Sequence, residues 1–153
     1  RHAGAGGLHR GAYVLADAAP GPPELILIAT GSEVWVALAA RAELEQREGV
    51  ATRVVSMPCW ELFQAQPGSY RDEVLPPRVT ARLAVEAAGT GLWWRWVGDH
   101  GGVVGIDGFG ASAPGGLLME KFGFTPEHVV DRALEVLQRQ HTAPARMLRD
   151  LSA

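Results

Sequence analysis

Asparagine is missing altogether from this 153-residue chain, lysine occurs once, at Lys121, and cysteine once, at Cys59. Each scarcity excludes something. A lone cysteine closes no intramolecular disulfide, so the core must hold without one, and a reducing, cytoplasmic setting is expected. Without asparagine, no motif that uses an Asn side chain as a ligand can be completed within these residues. Basic residues are not in excess either: the net charge is −3, and nucleic acid is not expected as a partner. Thirteen of the fourteen basic residues are arginine, which reads as coding bias. No apolar run reaches the roughly 18–20 residues of a membrane span, so no membrane partner is expected. The amino terminus lacks the charged-then-apolar pattern of a leader. It begins with Arg1 rather than Met, and a piece of a longer protein is expected.

What is present is an ordinary globular composition, 47% hydrophobic and 20% charged, on a length that suits one domain. Residues 1–11, RHAGAGGLHRG, show no periodicity and read as a linker. Residues 12–140 read as the domain. Residues 141–153, broken by Pro144, read as a loose tail. Within the domain, strands and helices alternate. AYVL (12–15) is a short strand. ELILIAT (24–30) is a continuous apolar run, as in a strand buried on both faces. Gly31 turns the chain and Ser32 is placed to cap a helix. Val34, Leu38, Ala42 and Leu44, with Trp35 nearby, supply that helix's apolar stripe, and Gly49 ends it. ATRVVSMP (51–58) is the next strand. CWELFQAQ (59–66) is a short helical turn, broken by Pro67-Gly68, and Pro76-Pro77 marks a further break. VTARLAVEAA (79–88) is a strand, residues 92–97 are helical, GGVVGID (101–107) is a strand, and 115–122 form a short helix. Thr125 caps a last helix with Pro126 at its first position. Val129, Val130, Ala133, Leu134 and Leu137 recur along it. Such alternation predicts an α/β layered domain with a largely parallel sheet.

Candidate chemistry is sparse. GFGASA (108–113) matches a dinucleotide phosphate loop in its glycines alone. It comes late in the chain, Pro114 and Gly115-Gly116 delay any helix, and Glu127 and Asp131 fall inside the last helix, where neither reaches a ribose. A tight turn is the better reading. Thr30, Gly31 and Ser32 leave a buried strand and open a helix, so their N–H groups form a candidate anion site, while the plainer alternative is a simple cap. The five histidines have no ligand spacing with Cys or carboxylate, which argues against zinc. Cys59 reads as a small buried filler. Trp93, Trp94 and Trp96 suit a core or an interface. Glu86, inside an apolar run, is costly unless paired, and Arg82 on the same strand is the candidate partner.

Five stretches in order, ATGSEV (29–34), RVVSMP (53–58), VLP (74–76), AVEA (84–87) and FGASAP (109–114), resemble the C-terminal domain of transketolases. The resemblance runs from about Gly11 to about Leu137. It implies a three-layer α/β/α sandwich over a five-stranded, mostly parallel sheet, with AYVL as the candidate antiparallel strand. It also implies a parent enzyme that moves a two-carbon ketol unit from a ketose phosphate to an aldose phosphate. That parent uses thiamine diphosphate and Mg2+ (or Ca2+), the cofactor carrying the hard chemistry. The family's metal motif is GDG followed further on by Asn. Here Gly98-Asp99 runs into His100, Asp107-Gly108 follows Ile106, and there is no Asn. No cofactor or metal site is therefore expected in these residues. The resemblance implies as partners the preceding pyrimidine-binding and diphosphate-binding domains and a second copy in a homodimer. The expected role is support of assembly, with no activity alone. Trp93, Trp94, Phe109 and Ser112 are the candidate contact residues. The alternative is a stand-alone α/β module that binds an anion or nucleotide near Thr30–Glu33 or Gly108–Ser112.

Overall fold

The computed structural model describes residues 5–107 and 123–150. Its centre is a five-stranded sheet formed by β1 (Tyr13–Ala16), β2 (Leu25–Ala29), β3 (Thr52–Ser56), β4 (Arg82–Val85) and β5 (Gly102–Val104), in the order β1-β3-β2-β4-β5. β1 runs antiparallel to β3, and every other pairing is parallel. The odd strand is thus the one that the AYVL segment supplies. β2, at the centre, is buried over its whole length, which explains its unbroken apolar sequence.

Helices cover both faces. α1 (Glu33–Arg47) and the last helix, α5 (Pro126–Asp150), lie on one side and α2 (Trp60–Gln64), α3 (Gly68–Val74) and α4 (Trp94–Val97) on the other. Side chains alternate along β2 accordingly. Leu25, Leu27 and Ala29 meet Val36, Ala37, Ala40 and Leu44 of α1 and Val129, Ala133 and Val136 of α5. Ile26 and Ile28 meet Phe63, Val74, Trp93 and Trp96. This is the three-layer α/β/α sandwich.

Several elements differ from expectation. The fully buried stripe of α1 is Val36, Ala37, Ala40 and Leu44, with the expected Val34 and Leu38 half-buried against the same core, while Ala42 is exposed and Trp35 is 56% exposed. Ser32 occupies the N-cap position, but its backbone is already helical and its hydroxyl makes no cap bond, donating instead to the Glu33 carboxylate at 2.9 Å. The strand expected over 79–88 is four residues long, because Ala88 N–H turns back to the Glu86 carbonyl at 2.7 Å and leads the chain out of the sheet. α3 follows directly on Pro67, where only a break is expected. Ala5–Arg10, within the expected linker, wind into a 3-10 helix. α5 starts as expected, with Thr125 Oγ1 accepting from His128 N–H at 3.3 Å. It does not end at a loose tail but runs on to Asp150, through Pro144. An interior proline removes one ladder donor and crowds the carbonyl four residues back, so Pro144 weakens the helix it stands in. The GFGASA turn, with Phe109 and Ser112, and the helix expected over 115–122 lie outside the described residues.

Candidate functional site at the carboxyl edge of the sheet

Parallel strands bring their carboxyl ends to one edge, and the chain leaving each of them meets the others there. Thr30 follows β2, Met57 to Cys59 follow β3, and Glu86 follows β4. Together with Trp60 and the 88–93 segment they line a cleft of about 520 Å3. Open α/β sheets place ligands in crevices at this edge.

The cleft wall is aromatic and glycine-rich. Trp60 and Trp93 meet edge to face, with ring centroids 5.0 Å apart and an interplanar angle of 89°. A clamp holds the 86–90 segment in place. Asp107 accepts the Thr90 N–H at 2.9 Å and the Thr90 hydroxyl at 2.8 Å, and these bonds hold its carboxyl below the usual range. Ile106 N–H donates to the Ala88 carbonyl at 3.0 Å. Gly105 permits the approach, since a Cβ there would lie 2.8 Å from that same carbonyl.

Glu86 stands at this edge with its Oε2 buried and without a hydrogen-bond partner among the described residues. Burial, and then the nearby Glu33 carboxylate, push its carboxyl up to about 7. The expected partner, Arg82, is elsewhere. Its guanidinium donates to the carbonyls of Val79, Trp96, Leu75 and Pro76. Even spacing along a strand puts two side chains on one face, but Arg82 lies at the amino end of β4 and Glu86 beyond its carboxyl end, so the strand's own length separates them.

Thr30 contributes to the cleft wall, and Gly31 makes the turn into α1 with φ +56°. Glu33, almost fully buried, and Glu86 place two carboxylates at this turn, and their charge opposes an anion at Thr30, Gly31 and Ser32. Cys59 is half-buried on the cleft wall rather than a core filler, its thiol donating to Glu61 at 3.4 Å. Trp93 is 2% exposed and packed into its own domain, whereas Trp94 is 45% exposed. Leu8, Trp35, Leu62 and Leu92 are the other large apolar side chains exposed among the described residues. The sequence reading does not single out Leu62 or Leu92 and meets Asp107 only as an incomplete metal motif. For Asp107 the available signal is its place at the end of the expected strand GGVVGID, beside an edge that Thr30 to Ser32 and Glu86 already mark.

The donor set does not fit a diphosphate carried on a divalent cation. Among the described residues no group of three or more His, Cys, Asp or Glu side chains is placed to hold a metal ion. The two carboxylates at the edge would repel the diphosphate as well.

Comparisons with known proteins give this geometry a family. The family model of the transketolase-like TK C-terminal domain matches residues 11–125. Transketolase of Aquifex aeolicus is 51% identical over 135 residues, covering 88% of this chain and 19% of the relative. Transketolase 1 of Escherichia coli is 55% identical over 128 residues, covering 84% of this chain and 19% of the relative. Among solved structures, transketolase from Leishmania mexicana superposes with a TM-score of 0.81 at 41% identity, over 90% of this chain and 19% of that one. The chain spans about a fifth of the length of the curated relatives it matches.

Proposed function

Because the chain belongs to the family of transketolase-like C-terminal domains, we propose that it serves as the C-terminal domain of a transketolase. The whole enzyme transfers a two-carbon ketol unit from a ketose phosphate to an aldose phosphate in the cytoplasm, within the pentose phosphate pathway. Thiamine diphosphate and a divalent cation, Mg2+ or Ca2+, are held by the preceding pyrimidine-binding and diphosphate-binding domains, and two copies form a homodimer. The present residues supply contact surface to that assembly and do not turn over substrate alone.

One observation carries this reading. Most of this chain, but only 19% of each transketolase, enters the matches. The exposed Leu92 and Trp94, two residues apart in sequence, support a contact role, since exposed large apolar side chains suit an interface. The alternative, a stand-alone module binding an anion or nucleotide at Thr30 to Ser32, is disfavoured by the carboxylates of Glu33 and Glu86. The test is a ketol-transfer assay on the purified 153-residue chain with thiamine diphosphate and magnesium. No turnover is expected, and sustained turnover would overturn the proposal.

A further inference from the structure

A second cleft, of about 460 Å3, opens at the amino ends of β4 and β5, between α3, α4 and the segment entering β4. Three guanidinium groups line it, those of Arg71, Arg82 and Arg95, against the two carboxylates of Asp72 and Asp99. Arg82 is the most enclosed of the three. Its N–H groups donate to the carbonyls of Val79 at 2.9 Å, Trp96 at 3.0 Å, Pro76 at 3.0 Å and Leu75 at 3.2 Å. Carbonyl dipoles satisfy its donors but leave a full positive charge uncancelled. Among the described residues no carboxylate forms an ion pair with Arg82 or with Arg71. The desolvation of Arg82 has therefore been met by the fold itself, and an incoming anion would gain its attraction.

Arg95 lies over the Trp96 ring, 5.2 Å from its centroid, and donates to Gln64 at 3.1 Å. Trp96 is nine-tenths buried, yet its indole N–H has no partner among the described residues. Unsatisfied buried donors are rare in folded proteins. A half-buried cation without an ion-pair partner and a residue with an unused indole donor thus line one cleft, with two surface guanidinium groups at its rim.

We propose that this cleft is an anion site that takes a single phosphate group, held by Arg71 and Arg95 over the fixed charge of Arg82. The planar fork of arginine matches phosphate oxygens in pairs. Three positive groups against two carboxylates suit one phosphate rather than a polyanion. The site lies at the opposite end of the strands from the carboxyl-edge cleft and does not rest on the assembly role.

The experiment titrates the chain with inorganic phosphate and, separately, with glycerol 3-phosphate, following heat and tryptophan fluorescence. The same titrations are made on Arg71→Gln, Arg95→Gln and the double variant, with far-UV circular dichroism as the folding check. Both side chains are at the surface, so the variants are expected to fold. Saturable binding of at least one probe is expected, weakened tenfold or more in the double variant and by added salt. Tighter binding of glycerol 3-phosphate supports the site and assigns it to a phosphate ester, while equal binding supports it and assigns it to phosphate alone. Flat titrations with both probes, or binding that the folded double variant leaves unchanged, would overturn the proposal.

Discussion

Asp17 grips Arg53 through two hydrogen bonds, Nε to Oδ1 at 2.7 Å and Nη2 to Oδ2 at 3.0 Å, and so ties the loop after β1 to the middle of the sheet. The same guanidinium donates to the carbonyls of Glu73 and Val74 at the end of α3. One buried arginine thereby joins three segments that are distant in sequence. Its partner, Asp17, is half-exposed, so the pair is worth less than a fully buried one. Removing it still leaves Arg53 buried with a charge and two orphaned donors. Asp17→Ala is expected to cost about 1–3 kcal/mol, read as a fall in thermal midpoint of roughly 2–4 °C per kcal/mol. An unchanged midpoint would show that the pair contributes nothing.

The Glu86 carboxyl makes stability depend on pH. Its pKa in the folded chain is about 7, against 4.5 for a free glutamate side chain. Between those values the folded state binds more protons than the unfolded one, so stability falls as pH rises. The contribution is fully present below about 4.5 and lost through about 7. Because the group is partly solvated, the loss is discounted to about 1 kcal/mol. Glu86→Gln mimics the protonated form and is expected to flatten that slope. Urea unfolding at pH 5 and pH 8 measures it, and a variant that keeps the wild-type slope would assign the dependence to another group.

Gly11 is held by sterics as well as by conformation. It has φ +81°, and a Cβ there would collide with the Cys59 carbonyl and the Phe63 amide nitrogen. Gly49 has φ +67° but open space around it. Gly49→Ala should cost about 1 kcal/mol, the conformational term alone. Gly11→Ala should cost about 3 kcal/mol or more, since backbone must shift. Equal denaturation midpoints for the two variants would contradict the steric account.

Trp93 and Trp94 are neighbours with opposite roles. Trp93→Ala empties a fully buried site and is expected to cost about 3–5 kcal/mol. Trp94→Ala, on the surface, should stay within about 0.5 kcal/mol in the isolated chain. If Trp94 serves the proposed contact, its loss should appear as weaker association with the preceding domains. Paired unfolding and association measurements separate the two effects.

Much of this architecture was legible. β2 is a continuous apolar run between turn signals, β3 is bounded by Gly49 and Pro58, and the Thr125-Pro126 start of α5 has its own local chemistry. What stayed hidden depends on tertiary contact. α3 carries no strong periodicity in GSYRDEV, and its buried residue is Val74 alone. The stripe of α1 is legible in Val34, Leu38 and Leu44 but not in its alanines, since those at 37, 39, 40 and 42 make several faces equally apolar. At the carboxyl edge Glu86 stands out as an acid in an apolar run, whereas Arg53, near the amino end of β3, is not singled out. Their partners did not show: strand spacing pointed Glu86 to Arg82, whereas the fold sets it beside Glu33, which only the packing of β4 against β2 and α1 brings near.

The most direct test of the assembly role is a chimera. The preceding four-fifths of the Escherichia coli transketolase would be joined to this chain in place of its own C-terminal part, then assayed for ketol transfer with thiamine diphosphate and magnesium. Ketol transfer by a dimeric chimera, beside none by this chain alone, is the predicted result. A folded chimera that neither dimerises nor transfers, or turnover by the chain alone, would contradict it.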